Sequence, residues 1–158
     1  MSIFIPIGLL LFAITAFYRR EWGIYLIVLL LPSYQIRFPV FGIPATFLEG
    51  MILILALIMS LRGIFSDEAI SIKQRLLHFV RNDKLHSFFL LLFLLAAGIS
   101  VFVAPDLIKA AGIFKAYFFE AVLFYFLVRL NIDSPDKQKK LFQTLAGLVL
   151  YLAVFGLY

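Results

Sequence analysis

The chain has 158 residues, 64% of them hydrophobic and only 15% charged, with a mean hydropathy of +1.06 and a formal net charge of +5. A soluble domain is about half apolar and about a quarter charged, so this composition excludes an ordinary soluble fold and points to a membrane protein. The basic residues are scattered over short islands with no aromatic-basic motif, which argues against a nucleic-acid partner. The absence of cysteine excludes disulfides and thiolate metal sites.

The first apolar stretch, residues 3–18, ends at Arg19, Arg20 and Glu21. It has no basic n-region and no small-residue cleavage site, so it reads as a retained span rather than a signal peptide. A second span, residues 22–36, opens at Trp22 and carries Pro32 near its far end. Phe38-Pro39-Val40-Phe41-Gly42-Ile43-Pro44 comes next, apolar but with two prolines and a glycine. It cannot be regular helix, and reads as a tight loop at the membrane surface.

A third span covers residues 45–61, where Thr46-x-x-Glu49 has the spacing of a capping box. The polar island after it predicts a helix over residues 70–81. Ile72, Leu76, Phe79 and Val80 fall on one side, while Lys73, Arg75, His78 and Arg81 populate the remainder. This is an amphipathic helix suited to lying along the membrane. Residues 85–103 form the fourth span, and Ala104-Pro105-Asp106 breaks the chain. The fifth span, residues 110–130, holds Lys115 and Glu120 within its apolar run. Ser134-Pro135 gives a cap followed by proline at the first helical position. The sixth span, residues 141–158, is still apolar at Tyr158, so the chain is expected to be the N-terminal portion of a longer protein. The expected fold is therefore all-α: a single polytopic bundle of about six transmembrane helices with one interfacial helix.

Basic residues near span ends set orientation. Arg19, Arg20, Arg62, Lys73, Arg75, Arg81, Lys84, Arg129, Lys137, Lys139 and Lys140 share one side, against Arg37, Lys109 and Lys115 on the other. That asymmetry places the N-terminus outside and the large basic loops in the cytoplasm.

Four residues are candidates for substrate binding. Glu120 lies near mid-membrane, where a carboxylate is costly unless it is paired, protonated or faces water; it is expected to face the bundle interior. A purely structural Glu120, hydrogen-bonded between two helices, is the alternative. Lys109, Ala116, Glu120 and Leu127 share a stripe at ~100° per residue. Lys115 projects elsewhere and can snorkel to the outer interface. Arg37, between proline-marked turns, could clamp a phosphate or simply be solvated. Glu49 reads as a helix cap. His78 and His86 are eight apart, outside the ~i+4 pairing of a helical metal site. Nothing points to a metal, a cofactor, a nucleophile-base pair or a nucleotide loop.

Three stretches carry a family resemblance: Arg20-Glu21-Trp22-Gly23-Ile24-Tyr25 leading to Leu31-Pro32; Ile43-Pro44-Ala45-Thr46-Phe47-Leu48-Glu49; and Ser100-Val101-Phe102-Val103-Ala104-Pro105-Asp106. In this order they resemble the N-terminal half of the O-antigen ligase and polymerase family of bacterial membrane proteins. The resemblance implies a multi-pass protein of the bacterial cytoplasmic (inner) membrane. Such proteins move glycans from an undecaprenyl-diphosphate carrier to an acceptor outside that membrane, a glycosyltransferase activity in cell-envelope polysaccharide assembly. The family's functional Arg and His residues lie in later spans and a large outer loop, so no catalytic residue carries over, and this portion is expected to be inactive alone. The residues themselves leave a second reading open: a small transporter or membrane-complex subunit in which Glu120 with Lys109 or Lys115 serves an ion or substrate path.

Overall fold

The structure is a computed structural model that describes residues 4–40, 43–65, 74 and 84–156. The described residues are overwhelmingly helical: α1 (Phe4–Tyr18), α2 (Arg20–Leu29), α3 (Phe47–Phe65), α4 (Lys84–Val103), α5 (Leu107–Asn131) and α6 (Pro135–Gly156). A short 3₁₀ segment (Leu31–Gln35) and two four-residue strands, β1 (Arg37–Val40) and β2 (Ile43–Thr46), join α2 to α3. The chain is thus all-α with a single small hairpin among the described residues. Among the described residues three helices, α4, α5 and α6, are long and apolar enough to cross a membrane. The amphipathic segment expected over residues 70–81 lies outside the described residues, apart from Gln74, which is helical.

Within the stretch expected as the second span, residues 22–36, the α-helix starts at Arg20 and stops at Leu29, where the backbone tightens into the 3₁₀ segment. Pro32 is the cause: it supplies no N–H to an α ladder and disfavours α geometry in the residue before it. It is tolerated because it falls in the first turn of the 3₁₀ segment. The sixth helix begins six residues earlier than its apolar run, at Pro135. Ser134 Oγ accepts the Lys137 N–H at 3.4 Å, so the charged first turn belongs to the helix.

The proline-rich stretch is an ordered antiparallel hairpin rather than an irregular loop. Arg37 faces Thr46, Phe38 faces Ala45, Pro39 faces Pro44 and Val40 faces Ile43. Ile36 O accepts the Phe47 N–H at 3.0 Å, which makes 36 and 47 a hydrogen-bonded pair. Antiparallel pairs alternate, so Pro39 and Pro44 occupy a non-hydrogen-bonded pair, where their missing N–H groups cost the ladder nothing. At the next such pair the outward N–H of Thr46 is taken by Glu49 Oε2 at 3.3 Å. Both outer edges are thereby poor templates for a further strand. The reciprocal bond, Glu49 N–H to Thr46 Oγ1 at 3.1 Å, completes the capping box that starts α3.

The chain divides into two compact units. The first comprises Met1–Ser60 and Leu127–Tyr158. Its core is built on Phe12 and Ala16 of α1, Ile24, Ile27 and Val28 of α2, Met51, Ile52, Leu55 and Met59 of α3, and Leu148 of α6. Glycines set how closely these helices approach. A Cβ on Gly23 would stand 3.1 Å from Ala16 Cβ and 3.2 Å from a Leu55 methyl, and one on Gly50 would stand 3.0 Å from Leu9. Small residues at crossings let backbones pack where lipid offers no hydrophobic drive between helices.

The second unit is Leu61–Phe126. Here α4 packs on α5 through Phe93 and Phe118, whose ring centroids are 5.3 Å apart. The large apolar side chains Phe88, Phe89, Leu92, Ile99, Phe102 and Ile108 are exposed, which suits a surface in contact with lipid. Hydroxyls inside the apolar helices satisfy themselves locally: Thr15 donates to Leu11 O, Ser100 to Ala97 O and Thr144 to Lys140 O.

Candidate functional site

Of the four candidate residues, Arg37 belongs to the first unit, and Lys109, Lys115 and Glu120 belong to the second. Arg37 opens β1, exposed, with its guanidinium carbon 5.8 Å from the centre of the Tyr34 ring. A cation over an aromatic face at this range is weakly attracted to it. The hairpin register pairs Arg37 with Thr46 at the end of the ladder nearest α3.

Lys109 is engaged by its own helix start. Asp106 caps α5: its Oδ1 accepts the Lys109 backbone N–H at 3.1 Å, and its Oδ2 lies 3.0 Å from Lys109 Nζ. The backbone bond from Lys109, followed by the side-chain bond, holds the Asp106 carboxyl below its ordinary 3.8. Lys109 is 83% exposed, so the ion pair itself contributes little in water. Its partner is therefore an adjacent cap, and none of the other three candidates.

Glu120 is buried, at 6% exposure, inside the 25-residue apolar helix α5. The helix is not uniform up to that point. Residues Phe114–Phe119 form a π-helical turn, and the Glu120 N–H donates to Lys115 O, five residues back. Phe114 and Phe118 stack within the turn at 6.0 Å between centroids. The wide turn holds about one residue more than an α turn, so the uniform ~100° stripe drawn from Lys109 and Ala116 to Glu120 does not run through it. Beyond the turn the α geometry resumes, and Glu120, Leu127 and Asn131 fall at i, i+7 and i+11. All three are buried. Lys115 lies within the π turn, half-buried, its carbonyl tied to Glu120.

Sequence reasoning missed a second polar constellation, in the first unit. Lys137 Nζ lies 2.9 Å from Glu21 Oε1 and 2.8 Å from Asp133 Oδ1, and it also donates to Asn131 O at 3.3 Å. The Tyr25 hydroxyl donates to Lys137 O at 3.3 Å. Just beneath, the buried Asn131 amide donates to Leu127 O at 2.6 Å and to Met59 Sδ at 3.0 Å. These bonds bring the α1–α2 junction, the late part of α3, the end of α5 and the start of α6 to one level. Read alone, Glu21, Asp133 and Lys137 are ordinary loop charges; the only local signal is the Ser134-Pro135 cap that places Lys137 in a first helical turn.

Among the described residues, no group of three histidine or acidic side chains is arranged to hold a metal ion. The class defined by this fold is a helical protein with three helices able to cross a membrane, as a membrane protein requires. No protein-family model, curated protein or solved structure matches the chain.

Proposed function

We propose that this chain is the N-terminal membrane portion of an O-antigen ligase/polymerase-like protein. Such a protein handles undecaprenyl-diphosphate-linked glycans in envelope polysaccharide assembly at the bacterial inner membrane. The observation that carries the reading is the order of the three resembling stretches, each of which falls at a built helix boundary. Residues 20–32 run through α2 to the break at Pro32; residues 43–49 make β2 and the capping box; residues 100–106 end α4 and cap α5.

On this reading the chain crosses the bilayer about six times with its N-terminus outside. The ten residues of α2 rise ~15 Å and the five of the 3₁₀ segment add ~10 Å, giving ~25 Å in all. That falls short of the ~30 Å hydrocarbon core, as α1 does, and local thinning of the bilayer accommodates both. Arg37, Lys109 and Lys115 then belong to the outer side, where the diphosphate carrier presents its anionic leaving group and cations would stabilise it. Glu120 lies near mid-membrane on this reading, facing the bundle interior.

The test is glycan transfer by the natural protein in membranes supplied with the undecaprenyl-diphosphate-linked donor. Glu120→Gln should lower transfer about tenfold or more while leaving the membrane level of the protein unchanged, as expected for a group acting in the reaction rather than in folding. Unchanged transfer at unchanged protein level would remove Glu120 from the site. Absence of any transfer by the natural protein would favour the transporter or subunit reading.

A further inference from the structure

We propose that the level at which α1 turns into α2 and α6 begins is a binding surface for anionic phospholipid headgroups, with Arg19, Lys139 and Lys140 as the phosphate contacts and the Lys137 bridge as the element that occupies the neighbouring acids. The inference is independent of the glycan reading and lies wholly within the first unit.

The surface is assembled from two short segments far apart in sequence, residues 18–25 and 131–142. Lys137 Nζ lies 2.9 Å from Glu21 Oε1, and the Tyr25 hydroxyl donates to Lys137 O at 3.3 Å, so the first turns of α2 and α6 stand side by side. Arg19, the extended residue between α1 and α2, is two positions before Glu21. Lys139 and Lys140 are two and three positions after Lys137. These cations are therefore within about one helical turn (~5.4 Å) along the chain of a single bridge. Each is exposed, and no ion pair reaches any of them among the described residues.

An anionic headgroup requires positive charge that is not already neutralised within the protein. Three acids occur in these two segments: Glu21, Asp133 and Asp136. Glu21 and Asp133 both meet Lys137 Nζ, at 2.9 and 2.8 Å, and Asp136 lies in the first turn of α6, where the helix dipole favours its charge. Lys137 thereby occupies two acids and leaves Arg19, Lys139 and Lys140 for a partner from outside the chain. The other side chains suit the bilayer boundary. Tyr18 and Trp22 are exposed and flank the cations in sequence, and amphipathic rings of this kind settle at the headgroup level. Further along α6 the exposed Leu145, Val149 and Leu152 continue the surface with aliphatic side chains. Cations, interfacial aromatics and aliphatic groups follow the order in which a phospholipid presents its phosphate, glycerol and acyl chains. A soluble polyanion would use the first of these alone.

Trp22, the one tryptophan in these 158 residues, stands at the surface and reports on it directly. The protein is reconstituted in phosphatidylcholine bilayers holding a minor share of phosphatidylglycerol. One lipid or the other carries brominated acyl chains, which quench tryptophan on contact, and the Trp22 signal is the difference from the Trp22→Phe counterpart of each protein. At low salt, quenching should show phosphatidylglycerol bound about fivefold more strongly than phosphatidylcholine, and high salt should shrink that preference. The combined changes Arg19→Gln, Lys139→Gln and Lys140→Gln should abolish it, whereas the charge-keeping set Arg19→Lys, Lys139→Arg and Lys140→Arg should retain it. Lys137→Met should lower the preference by releasing Glu21 and Asp133, and adding Glu21→Gln and Asp133→Asn to that variant should restore it. Equal quenching by the two lipids in the natural protein, or a preference that survives the combined glutamine changes or Lys137→Met, would overturn the proposal. Should the glutamine variant fail to accumulate, the salt series on the natural protein decides, because a preference insensitive to salt refutes phosphate contact by exposed cations. The readout involves no glycan, so its failure is distinct from failure of the transfer assay.

Discussion

At the scale of single residues, the polar groups that matter are those whose partners are fixed by backbone geometry. Asp106 caps α5 through the Lys109 N–H, and that bond holds its carboxyl below 3.8. Because the folded value is depressed, the stabilisation is complete above 3.8 and is lost as the pH falls through the lowered folded value. An NMR titration should therefore show the Lys109 amide and the first turn of α5 loosening only in that acid window. Asp106→Asn, which retains a capping oxygen, should abolish the pH dependence while keeping the helix start. Thr46 makes a sharper case, as its hydroxyl is one half of a reciprocal pair with Glu49. Thr46→Ala should cost about 1 kcal/mol, measured by unfolding in detergent. Lys137 holds Glu21 and Asp133 at 2.9 and 2.8 Å while partly open to solvent. Lys137→Met should lower the thermal midpoint modestly, and high salt should shrink the difference between the two proteins, because partly exposed pairs are worth about 1 kcal/mol or less and are screened.

At the scale of elements, legibility tracks the range of the interaction. The capping box at Thr46 and Glu49, the Ser134-Pro135 start of α6 and the break at Ala104-Pro105-Asp106 are local in sequence, and the structure has all three. Pro32 is visible too, but its effect exceeds the expectation: it ends α2 rather than merely marking its far end. The hairpin is less legible, because prolines announce a departure from helix without saying that Pro39 and Pro44 will face each other across a ladder. The π turn has no sequence signal at all. Phe114-Lys115-Ala116-Tyr117-Phe118-Phe119 reads as ordinary apolar helix, and Phe93, which packs on it, is distant in sequence. The Glu21–Lys137 pair is hidden for the same reason, since its members meet only when α2 and α6 do. Helix crossings give the direct test at this scale. Gly23→Val would drive a side chain into Ala16 and Leu55 and should destabilise the protein by about 1–3 kcal/mol. Gly147→Ala, at a site with nothing within 4 Å, should be neutral or stabilising by up to about 1 kcal/mol. Chemical unfolding of the two variants side by side would show whether glycine is required at the crossing alone.

At the scale of the whole molecule, the central claim is one of sidedness. The Glu21–Lys137 bridge and the Asn131–Met59 bond put the α1–α2 junction, late α3 and the α5–α6 junction at one level, and the basic residues Arg19, Arg20, Arg129, Lys137, Lys139 and Lys140 cluster in sequence around those same junctions. On the proposed reading, in which positive charge marks the cytoplasm, the hairpin belongs to the opposite face. These 158 residues include no cysteine, so they add no background of their own to a single introduced one. The decisive measurement is labelling of intact cells by a membrane-impermeant maleimide, with the residue changed to cysteine at Gly42, Ser71 or Lys139 in turn. Gly42→Cys should be labelled in intact cells, whereas Ser71→Cys and Lys139→Cys should be labelled only after the membrane is opened. Labelling of Ser71→Cys or Lys139→Cys in intact cells, with Gly42→Cys protected, would contradict that sidedness.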